Sequence, residues 1–437
     1  MWIALSLLST AHAFCGTYVS RPGDQLINES SRVVVAHDAT LGLTTLTLDM
    51  DVSGATDDFG VVVPVPAGLD PASVRTVDRG LVDSVMHWAA PRGVAYTCDD
   101  EETLRHNVGC KRRTAELGCV SYAISTKADA SQVLLEGTNL GAPDSDTLAV
   151  TVEHAFAVAE YDLVVLSAES GDDLQTWLTR EGFALSEDAA DLFDTYLHED
   201  TWFVAARVNV EAPIEDGSWL SPLQLQYEES SDMQTIPIRV GTLSGKGQQE
   251  VVVAVLSTGG VPGVATFPDA TIDRDCLLPP GTDLDTYYAD AVDKAIDDIG
   301  GSGWILEHSW PLATKCDPCP PPSAVSPFSL ADLADLGLSQ EATTWNNPRV
   351  SRLRVRYQID HVLSDLVVYD SGTHDAIQAR FISGPPGLES LFPVCDQGFP
   401  DHPRECPPPE PAHGATLPLI VFLGPLGFLG IGLRRRP

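Results

Sequence analysis

Between Thr201 and Val210 the chain alternates, with Trp202, Val204, Ala206, Val208 and Val210 on one face of an extended segment. Successive strand side chains point to opposite faces, so a period of two belongs in a sheet with one face covered. Leu43 to Met50 alternates in the same way, and Phe59 to Pro66 is a short, mostly apolar run whose closing prolines suit a sheet edge. Further strands are expected at Arg32 to Ala36, Leu148 to Val158, Tyr161 to Ser167, Leu223 to Tyr227, Ile236 to Val240, Val251 to Leu256, Leu353 to Ile359 and Asp365 to Tyr369.

Helical spacing interrupts these strands at a few places. Leu81, Val85, Trp88 and Ala89 share a face before Pro91, and Leu174, Trp177 and Leu178 precede a Gly182 cap. Ser186 opens a helix with Leu192, Phe193, Tyr196 and Leu197 inward, and Ser329 caps one carrying Leu330, Leu333 and Leu336. In Leu284 to Ile299 the inward residues are Leu284, Tyr288, Val292, Ile296 and Ile299. Such a mixture predicts an α+β protein, strand-rich and mostly antiparallel with a few short helices.

The two ends carry an address. Trp2 to Leu8 is apolar, and Ala11 and Ala13 are the small residues that signal peptidase requires, so residues 1–13 read as an export signal with cleavage between Ala13 and Phe14. From Leu417 to Leu433 the chain is apolar and uncharged, and Arg434, Arg435 and Arg436 follow. As a helix that run would span about 25 Å, and the arginines would remain on the cytoplasmic side. A membrane partner is therefore expected for residues 417–437. Between the ends, the sequence divides into a strand-rich region with a cysteine-bearing insert (14–145), an α+β core (146–280), a second α+β region (281–392) and a Cys/Pro-rich spacer (393–416).

All nine cysteines lie beyond the cleavage site, where an oxidising compartment makes disulfides the default. They are Cys15, Cys98, Cys110, Cys119, Cys276, Cys316, Cys319, Cys395 and Cys406, and their odd number leaves at least one free or paired between chains. Cys395 and Cys406 bracket a Pro/Gly/Asp loop and suggest a local bridge. Cys98, Cys110 and Cys119 with His106 lack the C-x-x-C knuckle of a zinc site. Cys316 and Cys319 form the one C-x-x-C pair, but Pro320, Pro321 and Pro322 disfavour the helix that would activate a redox thiol.

Composition removes whole classes of function. With 62 Asp+Glu against 26 Lys+Arg and a net charge of −36, the chain is no nucleic-acid binder. Asp49 to Gly54 begins like a calcium loop, but Gly60 stands where its bidentate Glu should be, so a polar hairpin turn is expected. Gly241 to Gly247 has one residue too few for a phosphate loop and reads as a hairpin turn. Arg352, Arg354 and Arg356 share one strand face, where they could grip an anion or pair with neighbouring carboxylates. Neither H-E-x-x-H nor G-x-S-x-G occurs, and neither a cofactor nor a metal is expected.

Several blocks carry a family resemblance. Phe14-Cys15-Gly16, the DDFGVVVPVP of Asp57 to Pro66, Tyr161 to Leu166 with Trp177-Leu178, Trp202 to Ala205, Ile236 to Leu243, Lys315 to Pro320 and Arg352 to Val368 are similar to an uncharacterised bacterial family, domain of unknown function 2330. That resemblance implies an exported protein and no established activity. The C-terminal tail resembles myxobacterial-type sorting tags, which implies a sorting protease as a partner. An exported, envelope-tethered protein with a binding or structural role is the leading expectation. A thiol-disulfide protein using Cys316 and Cys319, or a metal-dependent extracellular hydrolase, are the alternatives.

Overall fold

A computed structural model describes residues 15–20, 31–52, 59–95, 149–208, 218–383 and 404–408, with breaks at 187, 198–200, 230, 232, 246, 280, 314–327, 346 and 363. Two large sheets dominate. The first has the strand order β1 (Thr17–Ser20), β4 (Phe59–Pro66), β9 (Thr201–Val208), β8 (Tyr161–Ala168) and β7 (Val150–Val158), all antiparallel. The second runs β19 (Ile377–Gln378), β16 (Gly303–Pro311), β17 (Arg349–Gln358), β13 (Gln248–Ser257), β2 (Ser31–Asp38), β3 (Leu43–Val52), β11 (Leu223–Glu228) and β5 (Val74–Thr76), with β10 (Ser218–Trp219) also on β3. Its centre departs from the antiparallel rule, because β2 and β13 run parallel.

Apolar side chains of the two sheets meet in one core. Val61, Val63, Leu163, Val165 and Val204 from the first sheet join Val33, Val35, Leu46, Val253, Leu353 and Val355 from the second. The opposite faces are covered as well. Val34, Ala36, Ala254 and Leu256 pack under α1 (Arg79–Trp88) and α5 (Leu330–Asp335), while Val62, Val164, Leu166 and Phe203 pack under α2 (Gly171–Arg180) and α3 (Ala189–Leu197). The result is a helix–sheet–sheet–helix stack. Burial on both faces explains why β2, β4 and β13 read as continuous valine-rich runs rather than strict alternations.

Local chemistry closes the helices. The Asp78 side chain accepts from Gly80 N at the start of α1, and Ser170 Oγ accepts from Asp173 N at the start of α2. Gly182 ends α2 at φ +94°, a left-handed conformation that a side chain would strain. Ser329 and Asp332 form a reciprocal capping box on α5. Helix α4 (Leu284–Asp297) and α6 (Gln340–Trp345) complete the set among the described residues.

Two small sheets flank the stack. One is β12 (Met233–Ile236), β18 (Leu366–Asp370) and β14 (Pro262–Val264), and the other is the parallel trio β15 (Cys276–Leu277), β20 (Arg380–Ser383) and β6 (Arg92–Ala95). The second lies beneath α4, with Tyr287, Tyr288, Val292, Ile296 and Phe381 in its core. A disulfide joins Cys276 of β15 to Cys406, and Cys406 N donates to Leu277 O at 2.8 Å. The spacer is thereby stitched to the folded body, 130 residues along the chain from its partner.

Several sequence expectations are corrected. Cys406 pairs with Cys276, not with Cys395, which lies outside the described residues. The expected strand Ile236 to Val240 ends at Ile236, because Pro237 has no N–H to continue a ladder, and a 3₁₀ turn follows at Val240–Leu243. Gly241 to Gly247 is consequently no hairpin, since it links β12 and β13 of different sheets. Asp49 to Val52 belongs to β3 rather than to a turn, and the Asp49 carboxylate is buried between Arg32 and Arg79. Ile299 lies beyond the end of α4 and is 36% exposed. Strand β16 has no counterpart in the sequence reading, because its apolar run stops after Leu306 and the polar Glu307, His308 and Ser309 that follow are buried by the fold. Regions 14–145, 146–280 and 281–392 each contribute strands to the nine-stranded sheet.

Closing so long a loop restricts the unfolded chain, and by that account the bridge contributes about 4–5 kcal/mol. Replacing both Cys276 and Cys406 by Ser should lower the unfolding free energy by about that amount, measured by urea denaturation of the oxidised protein.

Candidate functional site

Arg352, Arg354 and Arg356 stand in register on the outer face of the nine-stranded sheet, opposite Ala254, Val252 and Glu250 of β13. On the other side, β16 carries an irregularity between Leu306 and His308, where Glu307 is the extra residue of a bulge. Bulges re-aim side chains, and this one brings Glu307 under two arginines. Arg352 Nε lies 2.8 Å from Glu307 Oε2, Arg354 donates to Glu307 Oε1, and Tyr288 Oη of α4 donates to that same oxygen at 2.6 Å. Glu250 then bridges Arg354 and Arg356, and Arg356 reaches Asp293 of α4. Arg352 Nη1 also donates to Met86 O of α1 at 2.9 Å.

This is a charge ladder rather than an open anion site. Glu307 has no exposed surface. Burial by itself would raise its carboxyl, but Arg352, Arg354 and the Tyr288 hydroxyl hold it below the usual carboxylate range. Arg354 is held in its charged form in the same way, because Glu307 and Glu250 outweigh the cost of its burial. The ladder ties β13, β16 and β17 to α1 and α4.

His308 sits beside it, 1% exposed. Its ring lies edge-on to Trp88 at 4.8 Å and stacks on Trp310 at 6.4 Å, and neither ring nitrogen has a hydrogen-bond partner. Burial pushes its pKa well below 6.5, and the cationic Arg92, Arg352 and Arg349 push it further.

A cavity of about 350 Å³ opens where the nine-stranded sheet meets the small β12–β18–β14 sheet. It lies at the C-terminal ends of the parallel strands β2 and β13, where His37 and Ser257 are register partners. His37 is nearly buried and its Nδ1 is 3.0 Å from Thr44 Oγ1. Gln234 of β12, Thr258 after β13 and Tyr369 and Asp370 of β18 line the remaining walls. Gly260 N donates to Asp370 Oδ2 at 2.9 Å and Gly372 N donates to Oδ1 at 2.8 Å, so the backbone aims this carboxylate. Gly259 has to lack a side chain, since a Cβ there would stand 2.3 Å from Asp370 Oδ2.

The arginine trio forms one cluster, paired as one of its two readings required, and it faces helices rather than solvent. Cys15 is free and fully buried, and burial raises its thiol pKa, so it is not a reactive thiolate. Cys98, Cys110, Cys119, Cys316, Cys319 and Cys395 lie outside the described residues, as do Ala13, Phe14 and the tail 417–437. No helix among the described residues is long and apolar enough to cross a membrane, and none of their His, Cys, Asp and Glu side chains cluster as metal ligands. Sequence reasoning turned Tyr288 inward without foreseeing its bond to Glu307, and it missed Glu307, Glu250 and the walls of the cavity. Their contacts join residues far apart in the chain, and the only local signal was the turn-forming Asp370-Ser371-Gly372.

Residues 9–361 match a family described as an uncharacterized protein conserved in bacteria, DUF2330. The chain belongs to this family. No curated protein matches it. Among solved structures, that of baculovirus P35 aligns at 10% identity over 81% of this chain and 98% of that one, with a TM-score of 0.30. A score so low carries no argument about the fold or role of this family member.

Two outcomes follow from the ladder and its neighbour. Glu307→Ala leaves buried guanidiniums unpaired and should destabilise the fold by about 3–5 kcal/mol in urea denaturation. An imidazole that stays neutral in the fold, while the unfolded chain takes up a proton near pH 6.5, leaves more protons on the unfolded state. Stability is then full above that pH and falls as the pH drops below it. His308→Phe should remove part of the decline between about pH 7.5 and about pH 5.5, read from urea midpoints of the two proteins.

Proposed function

We propose that this protein is a non-enzymatic binding module, exported and held at the cell envelope by its C-terminal segment. The observation that carries the proposal is the Cys276–Cys406 disulfide. Such bonds persist in oxidising compartments, which agrees with the export signal expected at residues 1–13. The bond also fixes the chain shortly before the apolar run that begins at Leu417, so a pull on the tail would be borne by the folded body instead of unravelling the spacer.

The binding half of the proposal rests on the cavity at the ends of β2 and β13. The charged groups of the ladder are engaged with one another, which suits bracing of the sheet more than chemistry on a substrate. In this reading the tail 417–437 serves as a membrane anchor or as a sorting tag for a processing protease.

Cell fractionation with intact-mass analysis tests the proposal. The expected product lacks residues 1–13, carries the Cys276–Cys406 bond and sediments with the envelope, and truncation after residue 416 releases it. A full-length, reduced protein in the cytosol would overturn it.

A further inference from the structure

His308 is a buried group that neither the ladder nor the cavity employs. Its strand is paired on both sides, with Arg352 of β17 and Gln378 of β19 as its register partners. Its ring lies under the last turn of α1, where Trp88, only 4% exposed, covers it edge-on and in turn meets Phe328 edge-on at 5.9 Å. Neither ring nitrogen has a partner there, so an imidazolium would bring two N–H donors and a charge into a place that offers no acceptor for them.

The charges that act on the ring are positive. They come from Arg92 at the start of β6 and from Arg349 and Arg352 of β17, while Gln378 of β19 is uncharged and α1 and Phe328 present aromatic rings. Glu307, next to it in β16, is already taken by Arg352, Arg354 and the Tyr288 hydroxyl. A proton on His308 would thus add a further cation to a dry, cationic site.

Two of these arginines also hold the helix. Arg352 Nη1 donates to Met86 O at 2.9 Å and Arg92 donates to Trp88 O, so the guanidiniums that a protonated ring would repel are the ones that close the last turn of α1 over it. The start of α1 is secured separately, by the Asp78 cap and by the pairing of Arg79 with the buried Asp49. Below the ring, β16 is hydrogen-bonded to a neighbour on either side. Repulsion at the ring is therefore relieved most easily by Trp88 and the end of the helix, since helix termini open more readily than strands inside a sheet.

We propose that the last turn of α1 is an acid-operated latch: a proton taken up by His308 drives Trp88 off the ring and admits water to the ladder, while the core between the two sheets stays closed. Global unfolding takes up the same proton, but the shared arginines place the first opening at α1. With the latch closed the imidazole is kept neutral, and with it open the ring titrates near its ordinary value of about 6.5. Acid therefore favours the open latch, and each pH unit below that value multiplies the open population by about ten. The latch is independent of export and of any ligand in the cavity.

Amide hydrogen exchange of the purified protein, corrected for the intrinsic pH dependence of exchange, tests it. Between about pH 7 and about pH 5 the protection of Val85 to Ala89 is expected to fall about tenfold or more, while that of Leu174 to Leu178 in α2 holds within about twofold. His308→Phe should abolish the fall, because a ring that takes up no proton then lies under Trp88. Protection of α1 that acid leaves unchanged, a fall shared equally by α2, or a fall that persists in His308→Phe would overturn the proposal. The first two outcomes are read on the unaltered protein, so they decide the matter if His308→Phe fails to fold.

Discussion

A carboxylate taken out of water must be compensated, and Glu307 is compensated three times, by Arg352, Arg354 and the Tyr288 hydroxyl. From that one requirement the rest of the outer face follows. Arg354 and Arg356 share Glu250, Arg356 reaches Asp293, and helix α4 is brought onto the sheet with its tyrosines and its carboxylate together. Pairs of this kind stabilise little relative to apolar packing. Their weight lies in geometry, because removing one member strands the others in a place where water cannot replace it.

The ladder and the apolar cores divide the work. Between the two sheets, burial is non-directional and many arrangements of valine would serve. On the outer face the hydrogen bonds are directional, and the bulge at Glu307 sets which arginine meets which acid. His308, held between two tryptophans at the edge of this network, shows what the arrangement costs: an imidazole without partners, kept neutral among arginines. At the far end of the same sheet, the parallel pair β2 and β13 stops against a small second sheet. The two do not merge into one surface, and the gap between them is the cavity.

Much of this was legible in the chain. The alternation of Thr201 to Val208 and the runs at Val251 and Leu353 announced strands, since a period of two survives whatever the strand pairs with. Gly182 and Ser329 marked helix ends through purely local backbone chemistry. Strand β16 escaped because its three apolar residues run into Glu307, His308 and Ser309, polar side chains that the fold buries, and the Cys406 partner escaped because spacing says nothing about which distant thiol the fold brings near. The strand that was missed carries Glu307, so the arginines could be placed on one face while their main counter-ion could not be named.

Sequence therefore settled the acidic character, which is a sum over residues, and the class of fold, which rests on patterns among neighbours a few residues apart. Tertiary structure alone decided the parallel pairing of β2 with β13, the bond from Cys276 to Cys406 and the cavity walled by His37, Gln234 and Asp370. Each of these joins residues more than a hundred positions apart along the chain. Their contact is set by how whole sheets stack to cover apolar faces, and no local pattern of residues encodes that stacking.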